Sequence, residues 1–235
     1  MSAPRSLPLR GTLLFVHGLW TSGAESLLLR HRLAQHGWAL RVFPYSSIAE
    51  PMDRVARRCA RVAQSLASRT LLPVHLLGHS LGGLVVYRMF ETGLLAPDRF
   101  SGDFCRAILM GTPARGSRTA RALASTGIGR RMLGSTGASD LIDGIPGRWP
   151  FPVQLGVIAG NVPHGLGRLI ATFDEPCDGT VAVSETLFEG AADHRVLPVS
   201  HFGMAFSTEV TQLVAAFLDH GHFGVHIAGS PERSR

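Results

Sequence analysis

Six short apolar runs recur along the chain, at residues 12–16, 40–43, 74–77, 107–110, 154–159 and 195–199. Runs of this length without polar alternation mark strands buried on both faces, and that is the environment of a parallel sheet covered by helices. The segments between them carry helical periodicity. Val55, Cys59, Val62 and Leu66 step by four, three and four residues, with Arg54, Arg57, Arg58 and Arg61 falling mostly on the other side. Residues 25–36 form a further candidate helix that stops at Gly37, Leu84, Val85 and Met89 make a third apolar stripe, and Val210, Leu213, Val214, Phe217 and Leu218 a fourth. The expected fold is α/β, a mainly parallel sheet of about six strands with helices on both faces. A length of 235 residues suits one domain, and 45% hydrophobic against 17% charged residues places the chain among globular proteins.

The third run, Val74-His75-Leu76-Leu77, leads directly into Gly78-His79-Ser80-Leu81-Gly82-Gly83, and a helical stripe follows. A serine between two glycines on such a strand-to-helix turn is held in a tight, strained elbow that lifts its hydroxyl into the open. Side chains at positions 78 and 82 would collide with the neighbouring strand and helix. The helix behind the serine offers unpaired N–H groups and a partial positive charge where an oxyanion would form. Ser80 is therefore the candidate nucleophile.

A serine hydroxyl needs a base to take its proton. In this strand–elbow–helix arrangement the acid and then the histidine follow the serine, each beyond a later strand. Among the 11 histidines, His201 lies directly after the sixth run, in Val199-Ser200-His201-Phe202-Gly203. His17 and His79 flank oxyanion positions and read as structural, His75 lies inside a strand, His194 precedes the sixth strand, and His220, His222 and His226 lie near the end of the chain. His164 is the only serious rival. Asp174, Glu175 and Asp178 follow the fifth run. Asp178 opens Asp178-Gly179-Thr180-Val181, where the glycine permits a tight turn behind the carboxylate, and Asp174 is the fallback. The two oxyanion donors are expected at the backbone N–H groups of Leu81 and, after the first strand, of Leu19 in His17-Gly18-Leu19.

These pieces together resemble the α/β-hydrolase superfamily, and within it the small bacterial lipases and the lipase-like group related to GPI-inositol deacylase. Phe15-Val16-His17-Gly18-Leu19, the elbow, Leu109-Met110-Gly111-Thr112-Pro113 with Gly116-Ser117, and Asp178-Gly179-Thr180-Val181 followed by His201 carry the resemblance, over residues 12 to about 218. It implies ester hydrolysis through an acyl-enzyme by a Ser-His-Asp triad, a chemistry that calls for no metal or cofactor. A catalytically silent hydrolase fold used for binding is the reading of another class.

Residues 114–150 break the rhythm with a run rich in Gly, Ser, Thr and Arg, and are expected to form a small cap; residues 221–235 are expected to be a loosely held tail. Leu19, Trp20, Leu81 and Phe202 flank the site and suit an acyl chain, which points to a small-molecule ester or lipid substrate. All basic residues are arginines, and the formal net charge is +6. Arg115, Arg118, Arg121, Arg130 and Arg131 crowd the cap, with no Asp or Glu between Asp103 and Asp140. Such a basic rim, with Arg118 and Arg121 near the substrate, would suit an acidic acyl carrier protein or an anionic lipid surface. Aromatic residues do not interleave with the arginines, so nucleic acid is not an expected partner. Cys59, Cys105 and Cys177 match neither a zinc motif nor a full disulfide framework. Residues 1–11 are interrupted by Pro4 and Pro8 and lack the apolar run of a signal peptide. The expected compartment is the cytoplasm.

Overall fold

In a strand, successive side chains point to opposite faces, so a continuous apolar run feeds two cores at once. In β1 (Gly11–Val16) Leu13 and Phe15 enter one core while Leu14 and Val16 enter the other, and all four are buried. A computed structural model describes residues 7–224, except 71, 96, 97, 99, 101, 103, 104 and 166, and the side chains of 168 and 169. The remaining strands are β2 (Trp38–Val42), β3 (Val74–His79), β4 (Arg106–Met110), β5 (Gln154–Gly160) and β6 (Asp193–Leu197). They form one parallel sheet in the order β2-β1-β3-β4-β5-β6. The central β3 and β4 are buried along their whole length, whereas β2 and β6 at the edges are partly exposed.

One face of the sheet packs on α2 (Met52–Arg69) and α3 (Leu81–Glu91), through Val55, Cys59, Leu84, Val85 and Met89. The other packs on α1 (Leu27–Gln35) and α8 (Thr208–His220), through Leu29, Leu33, Val214 and Phe217. In α2 the buried face is turned from the expected stripe: Ala56, Ala60, Ala63 and Ala67 are buried, and Val62 is exposed. Alanines let the helix axis approach the core closely, so small residues define the contact face where size alone pointed to Val62. No helix among the described residues is long and apolar enough to cross a membrane.

Two boundaries differ from expectation for identifiable reasons. β6 runs from Asp193 to Leu197, two residues earlier at each end than the apolar run, and it stops there because Pro198 has no N–H to continue the ladder. His194 therefore lies inside β6, its Nε2 3.1 Å from the Thr186 hydroxyl. The first residues of the expected loose tail are held: Gly221 closes α8 in the left-handed region (φ 75°), Phe223 packs on Phe217, and the Phe223 N–H donates to Asp193 (2.9 Å). Residues 225–235, with His226, lie outside the described residues. Residues 114–150 contain three short helices, α4 (Arg118–Ala124), α5 (Gly127–Leu133) and α6 (Ala138–Asp143), and a single turn, α7 (Gly167–Ile170), follows β5.

Candidate active site

β3 delivers Ser80 with φ 55° and ψ −123°. That conformation is costly for a residue with a side chain and persists only where the surroundings hold it. Here the Ser80 N–H donates to the Met110 carbonyl (2.8 Å), and the Ser80 carbonyl accepts from Gly83 N–H and the Thr112 hydroxyl. A side chain at position 78 would come within 2.5 Å of Gly83 Cα, and one at 82 would run into the Val16 carbonyl. The elbow glycines are thus fixed by close approach to α3 and β1, as the sequence implied.

His201 lies beyond β6, and its Nδ1–H donates to Asp178 Oδ2 at 2.6 Å. Both residues are buried. The other carboxylate oxygen of Asp178 accepts from the N–H groups of Thr180 (2.9 Å) and Val181 (2.7 Å), and the Asp178 carbonyl accepts from the His201 N–H (2.9 Å). The carboxylate is oriented by its own turn and in turn fixes the imidazole tautomer, leaving His201 Nε2 free to accept a proton. Neither set-aside candidate takes part in this pair. Asp174 is on the surface, bound by Arg118 at 2.7 Å, and His164 is exposed.

The loop after β1 comes close to the elbow: a side chain at Gly18 would sit 3.1 Å from Ser80 Cβ. The Gly18 carbonyl accepts from His17 Nδ1–H (3.0 Å) and from the Thr21 hydroxyl (3.0 Å). Because the peptide unit is planar, holding this carbonyl also aims the Leu19 N–H of the same unit. Leu81 is the first residue of α3, where an N–H has no partner within the helix. The hold of His17 and Thr21 on Gly18 escaped sequence reasoning, although the hydroxyl four residues past the histidine in one loop was the available signal. Trp20 follows at φ 59°; it and Ser80 are the only non-glycine residues at positive φ among those described.

Ser80, His201 and Trp20 open on one cavity of about 100 Å³. Its walls are apolar: Leu123, Leu133 and Leu141 come from α4, α5 and α6, Ile170 and Val181 from the segment between β5 and β6, and Phe202 from beyond His201. Leu19, Trp20 and Phe202 line it. The Leu81 side chain does not; it is fully buried in the core beside Met52 and Gly137, so an acyl chain meets at most its backbone.

Arg118 and Arg121 also depart from expectation, since neither lines the cavity. Arg118 binds Asp174 and Glu175 (2.7 and 2.5 Å), and Arg121 donates to the Ile142 carbonyl (2.8 Å) and lies 3.6 Å from Glu185. The acids that pair with these two arginines come from beyond residue 170, so the absence of Asp and Glu between 103 and 140 did not reveal that Arg118 and Arg121 are engaged. Glu185 was not anticipated. Its buried carboxylate accepts from the N–H groups of Arg118 (2.8 Å) and Ala182 (2.9 Å), tying the 114–150 segment to the turn that follows Asp178. Burial raises the Glu185 carboxyl above its usual range, against the opposing pull of these N–H groups and the two arginines.

No protein-family model matches the chain, and no curated protein matches it in sequence. Solved structures do resemble it. The mature lipase BlEst2 of Bacillus licheniformis superposes with a TM-score of 0.68 at 17% identity, over 94% of this chain and 96% of that one. A soluble variant of the monoglyceride lipase of Saccharomyces cerevisiae follows at 0.61 and 11%, over 94% and 89%. The thioesterase RedJ of the Streptomyces coelicolor prodiginine pathway matches at 0.56 and 15%, over 94% and 95%. Identities this low speak for architecture alone. With six parallel strands in this order and a serine elbow at the end of the central strand, that architecture is the α/β-hydrolase fold.

Proposed function

We propose that this protein is a serine-dependent hydrolase of carboxylic esters with an apolar acyl group, working through an acyl-enzyme. The observation that carries this is the short buried contact between His201 Nδ1 and Asp178 Oδ2, set at the same apolar cavity as a serine in an elbow. In this reading the Ser80 hydroxyl attacks the ester carbonyl while His201 Nε2 takes its proton. Asp178 keeps the imidazole in the right tautomer and stabilises the imidazolium without taking the proton itself. The tetrahedral oxyanion is met by the N–H groups of Leu19 and Leu81. The C–O bond to the alcohol then breaks, and the leaving oxygen receives the proton from His201. Water, deprotonated by the same nitrogen, attacks the acyl-serine and releases the acid with Ser80 restored. The cavity of Leu123, Leu133 and Leu141 holds the acyl chain.

A fluorophosphonate probe should label the wild-type protein and leave Ser80→Ala unlabelled. Ser80→Ala and His201→Ala should each lower turnover of an aryl ester by several orders of magnitude, toward the ~10⁶ seen for such groups elsewhere. Asp178→Asn should cost on the order of 10⁴, because the amide favours the wrong tautomer. A folded His201→Ala variant with near-normal turnover would reject this assignment of the base, and an unlabelled wild type would favour a binding role for the fold.

A further inference from the structure

We propose that His79 is a positioning residue that holds the main chain of His201, and with it the imidazole, in place over Ser80. This rests on the reading of His201 as the base. His79 is the last residue of β3 and immediately precedes Ser80. It is buried, and its Nε2 lies 3.0 Å from the His201 carbonyl oxygen, 122 positions along the chain. A carbonyl can only accept, so Nε2 carries the proton. His201 lies beyond the end of β6, where no ladder bond reaches it. Its backbone is held instead from two sides, its N–H by the Asp178 carbonyl and its own carbonyl by His79. The end of one strand thereby places both the nucleophile and the loop that carries the base.

The charge state of His79 fits that task. The two rings lie 4.9 Å apart, so a cation at position 79 would oppose the imidazolium that forms on His201 in each turnover. Burial, reinforced by the charge of His201, pushes His79 down to about 3; Asp178, which draws it upward, and His17 also face it. A neutral ring that donates from Nε2 supplies the hydrogen bond without the repulsion.

The test compares His79→Leu, His79→Gln and His201→Ala on a p-nitrophenyl ester of a short acid. His79→Leu removes the donor and keeps an apolar side chain. It should lower kcat on the order of 10²-fold, the scale of a misplaced catalytic group, with KM little changed. His79→Gln keeps an N–H able to reach the carbonyl and should recover most of that loss. A folded His79→Leu enzyme with wild-type kcat, a loss expressed in KM, or a Gln variant no better than Leu would each overturn the proposal. His201→Ala separates the two levels: if it stays active, the assignment of the base fails; if it is inactive while His79→Leu is unimpaired, only the positioning role fails. Nitrogen NMR of the wild-type imidazoles gives a check that does not depend on folding of a variant. His79 should show the Nε2–H tautomer and no titration between about pH 5 and 8, whereas titration near the ordinary histidine value of about 6.5 would overturn the proposal.

Discussion

Gly111 shows how narrowly the proposed site is fitted. It follows β4 directly at φ 56°, and a methyl group there would sit 3.0 Å from two ring atoms of His201 and 3.2 Å from Asp178 Oδ2. Gly111→Ala should therefore displace the pair and lower kcat on the order of 10²-fold. Gly93 supplies the control. It has a similar φ of 64° with nothing within 4 Å of a built Cβ. Gly93→Ala carries the same backbone cost, about 1–2 kcal/mol, and should leave kcat unchanged. Turnover and denaturant midpoints of the two variants decide the point, and equal turnover would show that the pair tolerates the methyl. That Ser80, His201 and Asp178 would come to one place was legible in the sequence because each sits in a short local pattern: an elbow between glycines, a histidine after an apolar run, an aspartate ahead of a glycine turn. The crowding at Gly111 was not legible, since it joins β4 to two residues 67 and 90 positions away.

Between elements, the segment of α4, α5 and α6 supplies part of the cavity wall. Leu123 on α4 lines it and is only partly buried, so shortening it adds room at moderate cost to stability. Leu123→Ala should move the preferred acyl chain toward greater length in a series of aryl esters. Uniform change across the series would mean that the segment does not select the chain. Strand positions and the helices on both faces followed from apolar runs and periodicity, because burial on both sides leaves no polar residue in the pattern. The fate of the arginines did not follow. Glu175 lies 57 positions from Arg118, and ion pairs of this reach leave no trace in local composition. The end of β6 was readable in retrospect from Pro198, a residue that cannot donate to a ladder.

For the whole molecule, buried histidines link stability to pH. Burial and the nearby Arg106 charge push His75 down to about 3, while His79 is held at a similar value. In the unfolded chain both bind a proton at about 6.5, so between these values the unfolded state carries protons that the folded state lacks. Stability present above pH 6.5 is lost as pH falls toward 3, at up to about 1.4 kcal/mol per pH unit for each group. His75→Asn keeps an acceptor for the Arg106 N–H, which His75 Nδ1 binds at 2.9 Å, and removes one titration. Urea melts between pH 7 and 4 should show its slope reduced by about one proton, and parallel curves would reject the linkage. The anchoring of Phe223 bears on a different property. β2 and β6 are the edge strands of the sheet, and open edges drive self-association. At β6 the residues just past α8 reach back: Asp193 accepts the Phe223 N–H, and Arg195 donates to the Gly224 carbonyl at 2.9 Å. Both contacts are to β6 side chains, so they tether the chain beyond α8 at this flank without pairing with the strand's own N–H and C=O groups.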